Sequence, residues 1–246
     1  MFAAVLCLFL PFSGDPVNAV SDGDAAFYSI AYGEAARCYQ QGLQAAPDDC
    51  ALLWRLARVS VCMAEVEDDA AQRKVLLQQG EDAARRCIAL DSSRAEGHTW
   101  LAGALGYRAL DAGMGEQVKI SQELVVETAA AIRLDPTNDA AWSIRGSFYR
   151  ALGNVGWVKR QLAAMLLGAI PQGGFPEAET ALTTAIRLAP DIMRHHYELG
   201  VLYLDMGRNE DARGALRKAS VLEIRTAIDK PRKEKALKLL GELEEN

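Results

Sequence analysis

An internal repeat constrains this chain more than any other feature. Four segments share one order of side chains, whose key positions are separated by four, three and five residues. Spacings of three and four residues place side chains on one face of a helix. A pattern of this kind, repeated along a chain, indicates stacked helical units. The four segments run from Ala35 to Pro47, from Gly80 to Ser92, from Leu124 to Pro136 and from Ala178 to Pro190.

The last repeat shows the signature of both helices of one unit. Leu199-Gly200 is followed by Tyr203, Gly207 marks a turn, and Ala212 and Leu216 mark the second helix. This is the tetratricopeptide spacing, in which small residues let two antiparallel helices cross closely while larger residues fill the space beside them. The sequence therefore predicts an all-α fold, a tetratricopeptide-like solenoid of antiparallel helix hairpins.

The repeats are irregular and longer than the usual unit. Their stop residues are 45, 44 and 54 positions apart, whereas a plain tetratricopeptide array repeats about every 34 residues. The surplus lies between the first and second helices, and most of it falls at 153–176. We expect lengthened helices in the earlier repeats and an insertion at 153–176, in which an amphipathic run from Trp157 packs on its own repeat or covers the groove.

The N-terminal residues resemble an export signal. An apolar run from Phe2 to Phe12 is too short to span a bilayer, which needs roughly 20 residues, and Val17-Asn18-Ala19 resembles a signal peptidase site. We expect a signal peptide at 1–19 and a helical repeat domain at 20–246. The chain would then be periplasmic or secreted, and the alternative is a membrane anchor formed by an uncleaved N-terminus.

The C-terminal residues predict a capping helix at about 229–245. Asp229 is a candidate N-cap, and Pro231 suits the first turn of a helix. A solenoid needs such a cap because its last repeat has no following neighbour to cover its apolar face. The predicted apolar stripe consists of Ala236, Leu237, Leu240 and Leu243.

Charge and residue spacing argue against several classes of function. The chain carries 27 basic and 33 acidic side chains, which gives no general attraction to nucleic acid. His195 and His196 are adjacent and would point about 100° apart on a helix, so they suit packing better than ligation of one metal. Ser143 and Ser147 have no histidine at a spacing that suits a catalytic triad. We expect no nucleic-acid partner, no metal, no cofactor and no enzymatic activity.

Four cysteines follow the predicted signal peptide. None forms a Cys-x-x-Cys pair, and each lies in an apolar helical pattern, so buried apolar packing is the favoured interpretation. Export would also permit disulfides. These cysteines are Cys38, Cys50, Cys62 and Cys87.

Three sequence motifs resemble the regulator of microtubule dynamics family. They are Leu53-Trp54-Arg55-Leu56-Ala57-Arg58, the stretch from Lys119 to Pro136, and Trp157-x-x-Arg160-x-x-Ala163. The resemblance covers roughly residues 24–245 and implies a divergent helical-repeat domain. Some members of the family are described as associating with microtubules or organelle membranes. Together with the predicted export signal, the resemblance indicates an exported bacterial homologue.

The first helices of stacked hairpins form a concave groove, and we expect function to reside there. The leading hypothesis is a non-catalytic scaffold that binds a peptide or protein segment, with groove arginines pairing acidic groups of the partner. The alternative is a groove closed by the 153–176 insertion into an apolar tunnel for lipid or another small hydrophobic molecule. Alignment of the repeats points six residues toward the groove: Trp54, Arg58, Tyr107, Arg150, Tyr197 and Asp205.

Overall fold

A computed structural model describes residues 16–156 and 171–245 of the chain. Within those residues the regular secondary structure is entirely α-helical. In chain order the described helices are α1 (Pro16–Tyr28), α2 (Tyr32–Ala45), α3 (Cys50–Ala64), α4 (Ala70–Leu90), α5 (Ala95–Asp111), α6 (Met114–Leu134), α7 (Asp139–Gly153), α8 (Phe175–Leu188), α9 (Met193–Asp205), α10 (Asn209–Val221) and α11 (Asp229–Glu244).

Consecutive helices pair into hairpins that stack along the chain. The pairs are α1 with α2, α3 with α4, α5 with α6, α7 with α8, and α9 with α10. Helices α4 and α6 each contain 21 residues, whereas α2 and α8 each contain 14. The predicted all-α hairpin solenoid with lengthened repeats is confirmed. Most of the predicted insertion, including Trp157, lies outside the described residues.

Glycine and leucine make the close crossing inside two of the hairpins. A Cβ atom placed on Gly200 of α9 would lie 2.7 Å from Cγ of Leu216 on α10. The same relationship recurs one hairpin earlier, where a Cβ on Gly146 would lie 2.5 Å from Cγ of Leu182. No larger side chain fits at either glycine without displacing the facing helix. These close contacts explain why the repeat has small residues at these positions.

Polar side chains at the turns fix where several helices begin. Oδ1 of Asp49 accepts hydrogen bonds from the backbone N–H groups of Ala51 and Leu52 at the start of α3. Asp69 caps α4 and Asn138 caps α7 in the same manner. Each cap satisfies backbone donors that the first turn of a helix leaves without partners.

The first described helix overlaps the predicted signal peptidase site. Helix α1 begins at Pro16, so Ala19 lies in its first turn, and both Ala19 and Val20 pack against the core of the first hairpins. Cleavage after Ala19 stays a prediction, and residues 1–15 lie outside the described part of the chain. No helix in 16–156 or 171–245 has the length and apolar content of a membrane span.

Helix α11 packs against α9 and α10 at the C-terminal end of the solenoid. Ala236 and Leu240 are buried there, but Leu237 is 54% exposed, and the partly buried Leu239 takes its place in the stripe. Asp229 also differs from its predicted role as N-cap. Its carboxylate accepts hydrogen bonds from the backbone N–H groups of Arg225 and Thr226, which stabilises the turn before the helix.

Candidate functional site

The first helices of the hairpins form the inner wall of the solenoid. Helix α3 contacts α5, α5 contacts α7, and α7 contacts α9, whereas the second helices α4, α6, α8 and α10 do not contact one another in the described structure. Side chains on α3, α5, α7 and α9 that face away from the second helices therefore share one inner surface of the described solenoid, and we call this surface the groove.

The C-terminal part of the chain crosses this groove. Residues 222–232, which we call the crossing segment, run from the end of α10 into the first turn of α11. The backbone N–H of Ala227 donates a hydrogen bond of 3.1 Å to the hydroxyl of Tyr32 on α2, 195 positions earlier. Ala227 also packs against the apolar core of the first hairpins. The two ends of the described solenoid are thus held together across the groove.

Arg232 of the crossing segment inserts its guanidinium between two buried carboxylates. Nη2 of Arg232 lies 3.7 Å from Oε1 of Glu65 and 3.8 Å from Oε1 of Glu198. The same nitrogen is 3.5 Å from the hydroxyl of Tyr107, which donates a 2.5 Å hydrogen bond to Glu65. The side chains of Glu65 and Glu198 are only 4% and 10% exposed. We call Glu65, Tyr107 and Glu198 the acidic pocket.

Burial and charge act together on the ionisable groups of this pocket. Burial raises the pKa of Tyr107, and the carboxylate of Glu65 raises it further, so the phenol stays a hydrogen-bond donor. Burial alone would lower the pKa of Arg232, but the negative charges of Glu65 and Glu198 outweigh that effect and raise it. Arg232 is therefore charged at neutral pH.

The structure brings the predicted groove residues Arg150 and Asp205 together beside the acidic pocket. Nη1 of Arg150 lies 3.3 Å from Oδ2 of Asp205, and Nη2 lies 3.7 Å from Oε2 of Glu198. Asp205 also accepts a 2.7 Å hydrogen bond from the side chain of Asn154, and Ser147 donates to Glu198 at 3.2 Å. Arg150 thus pairs with carboxylates of its own chain, and Tyr107 contributes its hydroxyl to the adjoining pocket.

Arg58 is a buried structural residue, so its predicted exposure in the groove is wrong. It is 8% exposed, and its Nη2 donates to Oδ1 of Asp24 at 2.9 Å. Its guanidinium carbon lies 3.7 Å from the ring centroid of Phe27. Asp24 also accepts hydrogen bonds from Arg55 and Tyr39. The arginine-rich motif of α3 therefore holds α1 and α2 in place.

Trp54 and Tyr197 also contribute to packing. Trp54 is partly buried against the first apolar cluster, and the guanidinium carbon of Arg55 lies 4.2 Å from its ring centroid. Tyr197 is 7% exposed and belongs to the apolar cluster that includes Met193 and Leu216. Tyr197 is thus a core residue rather than part of the groove surface.

The contact of Arg232 with Glu65 and Glu198 was not predicted by any local sequence pattern. Glu65 begins an acidic run that is typical of a solvated loop, yet its side chain is nearly inaccessible. Glu198 follows two histidines on α9, and Arg232 lies in a run of charges near the C-terminus. Only the three-dimensional return of the crossing segment brings them together. Arg232 lies 167 positions after Glu65 and 34 positions after Glu198, and no local pattern links residues so far apart.

The histidines are packed inside the fold. Nε2 of His195 lies 2.8 Å from Oδ2 of Asp139, and Nε2 of His196 lies 2.8 Å from the carbonyl oxygen of Pro190. Burial is the largest influence on both rings and lowers the pKa of each below its ordinary value. Within residues 16–156 and 171–245, no group of three or more His, Cys, Asp or Glu side chains could hold a metal ion.

Two of the four cysteines lie next to each other. Sγ of Cys50 is 3.6 Å from the carbonyl oxygen of Cys87, and Sγ of Cys87 is 3.6 Å from the carbonyl oxygen of Cys50. Both residues are unbridged, as are Cys38 and Cys62. Cys62 and Cys87 are buried, as the apolar interpretation of the pattern predicts, and Cys38 and Cys50 are partly buried.

Fold and groove together define a tetratricopeptide-type helical repeat protein. More particularly, the chain belongs to the Regulator of microtubule dynamics protein 1-3 family, whose family model matches residues 22–244. The match covers every described helix except the first turns of α1. The family resemblance carried by the tryptophan and arginine motifs is confirmed.

Several animal members of the family are similar to this chain. Mouse Regulator of microtubule dynamics protein 1 is 28% identical over 222 residues, which cover 87% of this chain and 72% of the mouse protein. Protein 1 of Caenorhabditis elegans is 26% identical over 180 residues, covering 73% of this chain and 79% of that protein. Rat protein 2 is 23% identical over 197 residues, covering 80% of this chain and 48% of the rat protein. The chain spans about half the length of this last relative.

A solved structure supports the fold assignment. The crystal structure of a thermophilic TPR protein from Thermus thermophilus superimposes with a TM-score of 0.67 at 21% sequence identity. The superposition covers 91% of this chain and 99% of the bacterial protein. It establishes the tetratricopeptide fold of the chain.

Proposed function

We propose that this chain is a non-catalytic interaction scaffold that holds a polypeptide segment in its concave groove. One observation carries the proposal: the groove already holds a polypeptide, its own crossing segment. That segment is bound by a backbone hydrogen bond to Tyr32 and by the ion pairs of Arg232. Extended segments bound through backbone hydrogen bonds and a few side-chain anchors are a general mode of peptide recognition.

The lining of the groove favours a polypeptide over a lipid. An apolar tunnel would present aliphatic and aromatic side chains to its ligand, whereas the described residues around Arg232 are carboxylates, a phenol and the guanidinium of Arg150. Burying a lipid chain against these groups would remove them from their partners at a cost of several kcal/mol.

The family supplies the first partner to test. The animal relatives are named as regulators of microtubule dynamics, and microtubules are therefore the candidate macromolecule. Co-sedimentation of the purified chain with assembled microtubules is the assay, and a chain that stays in the supernatant at micromolar microtubule concentrations would remove that candidate. The groove proposal itself does not depend on this result.

Deuterium exchange with a selected peptide tests the groove proposal. Peptides would be selected against the full chain from a random display library, and a scrambled version of the tightest binder would serve as control. The proposal expects slower exchange on α3, α5, α7 and α9 and unchanged exchange on α4 and α6. Protection confined to the second helices, or failure to obtain any sequence-specific binder, would contradict it.

A further inference from the structure

We propose that the acidic pocket is a recognition site for an arginine of a partner, and that Arg232 occupies it as a built-in competitor. This inference rests on the proposed function and names the chemistry of the partner: an arginine-bearing peptide segment. It reverses the sequence-based expectation of an acidic partner, because Arg58 and Arg150, the two arginines predicted to face the groove, already pair with carboxylates of their own chain.

The pocket has the shape of a guanidinium site. Its two carboxylates belong to different hairpins, since Glu65 follows α3 and Glu198 lies on α9. One nitrogen of Arg232 lies within 3.8 Å of both, and Tyr107 orients the Glu65 carboxylate. A guanidinium offers five donors in a rigid plane, whereas a lysine ammonium is a compact and strongly hydrated charge. The pocket should therefore prefer arginine to lysine.

Arg232 fills the pocket imperfectly. Charge-assisted N–H to carboxylate contacts are usually about 2.7–2.9 Å long, and both of its carboxylate contacts are longer. Its Nη1 atom is buried with no hydrogen-bond partner among the described residues. A buried donor without a partner costs roughly 1–3 kcal/mol. An arginine delivered by a partner on a less constrained backbone could recover these hydrogen bonds.

The inference requires the crossing segment to leave the groove while α11 stays docked on the last hairpin. Residues 223–228 form no helix, and α11 is anchored by Ala236 and Leu240, more than a helical turn beyond Arg232. Two cations remain beside the pocket when Arg232 departs. Arg150 pairs with Glu198, and Arg194 contributes positive charge beside Tyr107. These cations reduce the cost of exposing the two carboxylates before a partner arrives.

A labelled peptide tests this inference directly. The probe is the sequence Leu222–Arg232 with blocked ends and a fluorophore, and its control carries glutamine in place of the last arginine. We expect the full chain carrying Arg232→Ala to bind the probe at least tenfold more tightly than the unmodified chain does. Adding Glu198→Gln to that variant should abolish the gain, and the glutamine peptide should gain nothing.

Arg225→Ala is the matched control for removal of a charge from the same segment. Arg225 pairs at the surface with Asp191, so its loss should leave peptide affinity within twofold of the unmodified chain. Equal affinity of the probe for the Arg232→Ala and unmodified chains would overturn the inference. Equal binding of the arginine and glutamine peptides would overturn it as well.

A second measurement uses the unmodified chain and does not require any variant to fold. Excess arginine peptide should displace the crossing segment, which would appear as faster deuterium exchange at amides 223–228, and the glutamine peptide should have no such effect. Unchanged exchange at those amides would overturn the inference. The scaffold proposal would still be decided separately, by the exchange map obtained with library-selected peptides.

Discussion

Nη2 of Arg58 donates to Oδ1 of Asp24 across 2.9 Å, and this hydrogen bond joins α3 to α1. Arg55 reaches the same carboxylate, and Phe27 lies under the Arg58 guanidinium. The first hairpin has no preceding described repeat to pack against, so this charged cluster supplements its apolar contact with the second hairpin. The family-specific motif of α3 therefore stabilises one end of the solenoid.

Arg58→Ala should be markedly more destabilising than Arg150→Ala. Loss of Arg58 leaves Asp24 less well paired and removes buried packing on Phe27, which should cost about 2–4 kcal/mol. The side chains of Arg150 and Asp205 are about a quarter exposed, so screening by solvent limits the cost of Arg150→Ala to about 1 kcal/mol. Urea unfolding followed by circular dichroism measures both values, and equal losses would disprove this ranking.

Gly200→Ala should destabilise the last hairpin. The added methyl group would lie 2.7 Å from Cγ of Leu216 and 3.3 Å from its backbone nitrogen, so α9 and α10 would have to separate. Overpacking of this kind costs about 1–3 kcal/mol. Gly214→Ala on α10 is the control, because nothing lies within 4 Å of its Cβ position and the substitution favours the helix by roughly 0.5–1 kcal/mol. Thermal unfolding should show shifts of opposite sign.

The protein should lose stability as the pH falls from about 7.5 toward 5. Burial lowers the pKa of both His195 and His196 in the folded state, so below the ordinary histidine value of about 6.5 the unfolded chain binds more protons than the folded one. Protonation therefore favours unfolding in that window. The positive charge of Arg194 also lowers the pKa of His195, and that of Lys218 lowers the pKa of His196. Asp139 opposes this by raising the pKa of His195. Urea midpoints measured across this range should decrease, and a double His195→Gln, His196→Gln variant should show a smaller slope.

Thiol labelling should distinguish two pairs of cysteines. Burial raises the pKa of Cys62 and of Cys87 to about 12, and a thiol reacts through its thiolate. Iodoacetamide at a pH of about 8 should therefore modify these two residues only after unfolding. Cys38 and Cys50 are partly exposed and should react in the folded chain, Cys38 more slowly because burial raises the pKa of its thiol. Peptide mass spectrometry with and without urea measures the extent of modification at each cysteine. Rapid labelling of Cys62 in the folded chain would contradict the burial described for α3.

The hairpin architecture could be predicted from the sequence because it depends on local spacing. Gly200 and Leu216, for example, are close in the chain and follow the repeat pattern, and their packing is the contact that the pattern implies. Lengthened helices in the earlier repeats also followed from counting residues between stop positions, although the count did not show that the extra residues belong to the second helices α4 and α6. Helical periodicity and close crossing are properties of short stretches of sequence, so a single chain reveals them.

The composition of the groove could not be predicted in the same way. Repeat alignment pointed Arg150 and Asp205 toward the groove without indicating that their side chains pair, and it could not show that Arg58 turns toward Asp24 or that Tyr197 is buried. Those outcomes depend on partners in other helices. The contact of Arg232 with the acidic pocket depends on the path of the whole solenoid, since a small rotation in each repeat determines where the C-terminus returns.

A double-mutant cycle between Arg232 and Glu198 shows whether the crossing segment occupies the groove in solution. The cycle uses Arg232→Ala, Glu198→Gln and the double variant, with free energies of unfolding measured in urea, and the surface pair Arg225 and Asp191 serves as reference. If the crossing segment is bound in the groove, the buried pair should show a coupling energy of about 1–3 kcal/mol, whereas the exposed pair should stay below about 0.5 kcal/mol. A coupling for Arg232 and Glu198 no larger than that of the surface pair would show that the C-terminal segment does not occupy the groove in solution.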